Sequence, residues 1–331
     1  MLQPIDNNQI RTTGPRLTQV LLISISLVLA LGVCAALAQE PGQKTFSSPT
    51  AAADALAAAV QSNNDQELLA ILGPSARDLI SSGDRTADQN RRARFTRKYK
   101  QLHQFATAAD GRVFLYIGAN NWPDPVPLRK KGSQWYFDTK YGRKEILFRR
   151  IGSDELKSIK VCKAIVAGEH AYYASLHDGN SAHQYSAKFR STPGTQDGLY
   201  WPVKAGEKPQ SPIGPLVADA ALEGYQHHSG TPPHPFYGYI YRLLTEQGAS
   251  APGGAKSYII DGKMTGGFAL VAYPASYRDS GVMTFIVNQD GQIYQKDLGP
   301  QTAQIATAMT QYDPGPTWHP VTAAVGGAAL K

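Results

Sequence analysis

The pattern of apolar and polar positions changes character several times along the chain. Val20 to Ala38 carries no charged residue. From Ala52 to Leu72 apolar residues recur at helical spacing: Ala52, Leu56, Ala59 and Val60, then Leu68, Leu69, Ile71 and Leu72, with Asn63-Asn64 between the two runs. That period turns one face of each helix inward. Ser48-Pro49 supplies an N-cap and a proline at the first helical position, where the missing N–H costs nothing. Gly73-Pro74 ends the second helix. A third helix is expected from about Ala87 to Phe105. The period then becomes two: Arg112 to Ile117 and Gln134 to Asp138 read as strands, joined through a loop holding Pro123, Pro125 and Pro127 and a basic turn. Gly142 to Phe148 leads out. Helices followed by a curled antiparallel sheet predict a small α+β domain over residues 44–150.

The second half, residues 151–320, opens on a long helix from Asp154 to about Leu176, with Leu156, Ile159, Cys162, Val166 and Tyr173 as its stripe. A Pro/Gly-rich excursion from Thr192 to Pro215 precedes a short helix from Leu216 to Tyr225. Strand patterns follow. Tyr237, Tyr239 and Tyr241 alternate along one edge, and then come Ser257–Ile260, Phe268–Tyr273, Val282–Val287 and Ile293–Lys296. Asn288 to Gly291 joins the last two as a hairpin loop, its glycine supplying a positive φ. Residues 321–331 read as a frayed tail. The fold class expected is α+β throughout, with no internal repeat.

Composition sharpens the N-terminal reading. The chain of 331 residues is 42% hydrophobic and 18% charged, which suits a globular protein of two ordinary domains. Arg11 and Arg16, the uncharged run and Ala36-Leu37-Ala38 together have the three parts of a secretory signal peptide, with cleavage expected after Ala38 and a periplasmic or secreted mature protein. Retention of the 19-residue run as a membrane anchor is the rival reading, and a lipoprotein at Cys34 a weaker one, because Val33 stands where a small residue is required. Cleavage removes two basic residues and one acidic one, lowering the formal charge of +7 by one. It also leaves Cys162 as the single thiol, so no internal disulfide can form.

Candidate chemistry is sparse. The chain has no G-x-S-x-G, Walker, H-E-x-x-H, C-x-x-C or G-x-G-x-x-G signature. No cofactor and no metal site are expected: His227, His228 and His234 lack acidic or thiol neighbours at ligand spacing, and His170, His177 and His183 lie too far apart around a helix end. Arg91, Arg92, Arg94, Arg97, Lys98 and Lys100 crowd ten positions with Phe95 and Tyr99 among them. A solvated helix face, contact with an anionic envelope polymer and nucleic-acid binding are the three readings, and export argues against the last. The most distinctive stretch is Phe189 to Pro202. It places Arg190, Asp197, Tyr200 and Trp201 in one loop and, with Tyr237, gives the candidate ligand-binding residues. The competing account is an ordered loop whose aromatics plug an interface and whose Arg–Asp pair is structural.

Three stretches resemble a family of exported bacterial proteins known as domain of unknown function 2950. They are Ala70-Ile-Leu-Gly-Pro to Ser82-Gly-Asp, Phe189 to Pro202, and Gly266-Gly-Phe-Ala-Leu-Val-Ala-Tyr-Pro to Asp290-Gly with Lys296-Asp-Leu-Gly-Pro. The resemblance spans about residues 44–320 and implies secretion from a Gram-negative bacterium; it carries no catalytic residue. Phe236-Tyr237-Gly238 stands where such proteins often show His-Gly after an aromatic. At the level of fold, residues 44–150 are similar to the nuclear-transport-factor-two-like cone, and the second half to the globular part of type IV pilins and pseudopilins. The leading expectation is a non-catalytic module binding a ligand, an envelope polymer or an envelope protein, with membrane contact only through an uncleaved N-terminus. The alternatives are a small hydrolase or isomerase using the cone interior, with Asp138 or another strand carboxylate as base, and a pseudopilin-like assembly subunit.

Overall fold

Ser48 accepts the Ala51 N–H at 3.0 Å and so starts α1, Pro49–Gln61. Asn64 does the same for α2, Asp65–Leu72, through the Glu67 N–H, and Gly73 ends it at a φ of 101°. A short α3, Arg77–Ile80, leads to α4, Arg85–Gln101, whose cap is Asp84. The computed structural model describes residues 39–203, 210–225 and 234–322, all within the unit Ala38–Lys331. The segment expected to be a signal peptide, His227, His228 and most of the C-terminal tail lie outside them.

Five strands follow: β1 His103–Thr107, β2 Val113–Ile117, β3 Trp122–Pro123, β4 Leu128–Lys131 and β5 Gln134–Phe137. They form one antiparallel sheet in the order β1-β2-β4-β5, with β3 paired to β2. Alternation along β2 sends Val113, Leu115 and Ile117 inward and leaves Phe114 and Tyr116 on the opposite face. The inward residues join two adjoining clusters, one containing Leu56, Ile71, Leu128 and Phe137 and the other Tyr99 and Ala53. The space between the helices and the sheet is packed with these side chains.

The helix expected from Asp154 begins much earlier. α5 runs unbroken from Thr139 to Tyr173, 35 residues, through the stretch read as a lead-out. Asp138 caps it, accepting from the Tyr141 N–H at 3.1 Å. Gly142 is required in its first turns, since a Cβ there would lie 2.7 Å from both the Pro125 carbonyl oxygen and a Val126 methyl. The buried face of α5 is polar at its start (Thr139, Arg150, Asp154, Ser158) and apolar later (Val161, Cys162, Ile165), with Glu169 buried beyond. Hydrophobic periodicity is therefore blind to its first half.

α6 spans Gly214–Leu222. β6, Tyr239–Leu244, is one edge of a second five-stranded antiparallel sheet, next to Ala269–Pro274, Met283–Asn288, Tyr294–Asp297 and His319–Pro320 in that order. Tyr237 is not in the strand: it sits in a turn at a φ of 52°. Gly291, at 78°, closes the expected hairpin. Ser257–Ile260 divides into two short pairings rather than one strand, and α7, Thr302–Ala308, adds a helix the pattern did not predict. The molecule is thus mixed α+β, with seven α-helices and mainly antiparallel sheets among the described residues.

The helical first half meets the second sheet through a sealed polar junction. Asp84 accepts from the Ala87 N–H at 2.9 Å, the Tyr225 hydroxyl at 2.8 Å and the Gly238 N–H at 2.8 Å. Arg91 donates to Ser82 and Asp88 at 2.7 Å and, more weakly, to Asp154 at 3.4 Å. Arg150 donates to the carbonyls of Asp78 and Leu79. These bonds satisfy most of the groups that burial would otherwise strand.

Candidate functional site

A surface cleft of about 420 Å³ lies over the outer face of the first sheet. Phe114 and Tyr116 reach it from β2, Pro123 from the end of β3, Asp124 and Pro125 from the loop after it, and Tyr141, Lys144, Glu145 and Arg149 from α5. Strand alternation sends Phe114 and Tyr116 there, and Gly142 lets α5 press against the proline-rich loop to form the opposite wall. Tyr141 is 50% exposed and packs edge-on to Phe114, ring centroids 6.3 Å apart.

Cations sit on the aromatic faces. The Arg112 guanidinium lies 3.9 Å from the Tyr141 ring centroid. Arg149 lies 4.5 Å and Lys98 5.1 Å from that of Trp122, which is 37% exposed beside the cleft. Such contacts orient a cation against the ring quadrupole. Arg149 also pairs with Glu145 at 2.6 Å and donates to the Pro123 carbonyl at 3.1 Å, which ties α5 to the loop. Arg112 pairs with Asp110 at 2.6 Å. Lys144 has no ion-pair partner among the described residues.

Asp124 forms part of the cleft's lining, only 7% exposed. It accepts the Val126 N–H at 2.9 Å. Burial pushes its carboxyl up to about 6, with that N–H and the Arg149 charge acting in the opposite sense. A carboxyl of this kind in a cleft switches from donor to acceptor in mildly acidic solution, and perturbed groups cluster at functional sites. The proline-flanked sequence Pro123-Asp124-Pro125 was the only sign of it along the chain; its aromatic and basic neighbours come from three separate elements.

The residues singled out from the sequence fall elsewhere. In the loop, Arg190 and Tyr200 face each other, the guanidinium 5.3 Å from the ring centroid, and their backbones bridge. Asp197 pairs with Lys188 rather than Arg190, and also accepts from the Thr192 N–H and hydroxyl. Desolvation opposes these bonds, but they outweigh it and hold the carboxyl well below the usual range. Trp201 is a core residue, 5% exposed, against His177. Tyr237 belongs to the junction: its hydroxyl donates to Glu223 at 2.7 Å and Lys157 lies 4.2 Å from its ring centroid. The loop and Tyr237 are therefore separate groupings.

Of the basic run on α4, Arg91 and Arg92 turn inward, Arg92 to Asp65 at 2.7 Å and to the Ile80 carbonyl at 2.8 Å. Asp138, considered as a base, is committed to capping α5 and to Arg129 at 2.6 Å. His170, His177 and His183 each bond a different backbone carbonyl, and no group of three His, Cys, Asp or Glu able to hold a metal occurs among the described residues. Cys162 is buried, and that burial pushes its thiol up to about 12, which disfavours the thiolate.

Fold and site together define a mixed α+β protein with an aromatic and cationic surface cleft. Its family follows from the sequence as a whole: the family model described as "Protein of unknown function (DUF2950)" matches residues 43–321, and the chain belongs to that family. No curated protein and no solved structure matches it. No helix among the described residues is long and apolar enough to cross a membrane.

Proposed function

We propose that the chain is an exported, non-catalytic binding module whose ligand sits in the cleft over Asp124. The observation that carries this is the convergence of three exposed or half-buried rings, Phe114, Tyr116 and Tyr141, with Lys144 and Arg149 around one buried carboxyl. Ring faces supply contact area at little entropic cost, and a few placed polar groups set orientation. Export with cleavage after Ala38, giving a periplasmic or secreted protein, is part of the same reading and rests on the N-terminal sequence. We also read residues 44–150 as cone-like and 151–320 as pilin-like in plan; helices on one face of a sheet support the first, and a long helix followed by an antiparallel meander the second.

A thermal-shift screen of the purified chain against saccharides and cell-envelope fragments tests the binding. A ligand should raise the melting temperature of the wild type and leave Tyr141→Ala unmoved. A shift equal in both proteins would place the ligand elsewhere. Mass spectrometry of the purified protein should find an N-terminus at Gln39, and a start at Met1 would overturn the export reading.

A further inference from the structure

We propose that the ligand is an acidic polysaccharide, and that its strand continues from the cleft across Trp122 onto α4; this rests on the cleft being the ligand site. With Arg91 and Arg92 turned inward, Arg94, Arg97 and Lys100 remain exposed without ion-pair partners among the described residues. Arg94, Arg97 and Lys98 are three and four positions apart, so they share one helix face. Lys98 and Arg149 both sit over the Trp122 ring, which makes Trp122 the link between that face and the cleft. Beyond Arg97 the surface dips again into a groove of about 260 Å³, formed with Val60, Gln61, Ala93 and Thr96. Two depressions thus flank a ridge of cations.

The chemistry of that ridge selects the partner. Two of the acids beside it are already neutralised, Asp110 by Arg112 and Glu145 by Arg149, and the third, Asp124, is buried beneath the cleft and held by the Val126 N–H. What remains is Arg94, Arg97, Lys98 and Lys144, a row that complements repeated negative charge. Trp122 and Tyr141 carry cations on their faces, whereas nucleobases bind by stacking on open ring faces. The Trp122 ring holds Lys98 in place, which lowers the ordering cost of binding anions there. A sugar strand bearing carboxylates or sulfates meets these conditions better than a nucleic acid.

Isothermal titration of the full chain with polygalacturonate, digalacturonate, neutral dextran and poly(dT) tests this. Polygalacturonate should bind, weaken on the order of tenfold between 50 and 200 mM salt, and weaken about as much again in Arg94→Gln/Arg97→Gln, whose fold is checked by its unchanged melting temperature. Digalacturonate, short enough for the cleft alone, should be indifferent to that double substitution and lost in Tyr141→Ala. Polymer binding that ignores salt and the double substitution, while Tyr141→Ala still abolishes it, overturns the track and leaves the cleft. Binding unaffected by Tyr141→Ala overturns both. Equal affinity for poly(dT), or for dextran, overturns the polysaccharide class assigned here.

Discussion

At the junction, Asp84 is buried but accepts three donors, one from each of α4, the segment after α6 and the turn before β6. At the cleft, Asp124 is almost as buried and accepts a single bond, from the Val126 backbone N–H, with Arg149 nearby but not in contact as an ion pair. Both carboxyls feel a nearby guanidinium, Arg91 at Asp84 and Arg149 at Asp124. The difference is what surrounds them: protein donors close the shell of Asp84, while the shell of Asp124 opens onto a cleft. A satisfied buried carboxylate is a clamp, and an under-satisfied one beside solvent has bonding capacity left for a ligand. Glu169 supplies a third case. It is fully buried, one oxygen accepts the Ser186 N–H at 2.8 Å, and the other has no partner.

The largest effect expected is from Asp84→Ala. It strands the Gly238 N–H and the Tyr225 hydroxyl in the junction and removes the cap of α4, so the loss should be about 3–5 kcal/mol. Urea unfolding followed by circular dichroism reads it. A loss under about 1 kcal/mol would mean that the junction is not a clamp.

Glu169→Gln should act in the opposite direction and only at high pH. Burial pushes the Glu169 carboxyl from an ordinary 4.5 up to about 8. Its folded value is raised, so its contribution to stability is complete below about pH 4.5 and is lost as the pH rises through about 8. The glutamine variant, which cannot ionise, should match the wild type at pH 4 and exceed it by about 2–4 kcal/mol at pH 9. Equal stability at pH 9 would show that an unseen partner satisfies the free oxygen.

The same contrast explains what the sequence could reveal. Segments whose buried face is apolar were legible: α1, α2 and the hairpin at Asn288–Gly291 follow from spacing and turn residues. The first half of α5 was not, because Thr139, Arg150 and Asp154 occupy its inward face and Gly142 and Gly152 look like breaks. Gly142 is instead dictated by the backbone of Pro125, a contact 17 residues away in the chain. Of the site, the basic run and the proline loop were visible. The pairings were not: nothing in the order of residues says that Lys98 meets Trp122, or that Arg91 and Arg92 leave the surface. The loop at Phe189–Pro202 is conspicuous in sequence for its aromatics, yet burial of Trp201 is a tertiary fact.

Asp124→Asn tests the open side of the comparison, with a smaller effect. The folded carboxyl is raised from 3.8 to about 6, so its contribution is complete below about pH 3.8 and is lost as the pH rises through about 6. Asparagine keeps an oxygen for the Val126 N–H. The variant should equal the wild type near pH 3.5 and gain about 1–3 kcal/mol at pH 8, less whatever attraction to Arg149 is given up. Melting curves at the two pH values measure this. A variant less stable at pH 8 would mean that Arg149 and Asp124 form a structural pair, and the cleft would then resemble the junction.

Smallest of all should be Arg94→Gln. Arg94 is exposed and unpaired among the described residues, and substitutions of that kind fall within about 0.5 kcal/mol. Its neighbour three positions earlier provides the control: Arg91→Gln removes the partner of Asp88 and Asp154 and should cost several times more. The two arginines lie on one helix, within one run of basic residues, and differ only in which way the helix turns them. A large loss for Arg94→Gln would assign the outer face of α4 to structure and remove the cationic row from the binding surface. A negligible one leaves those charges available to a ligand.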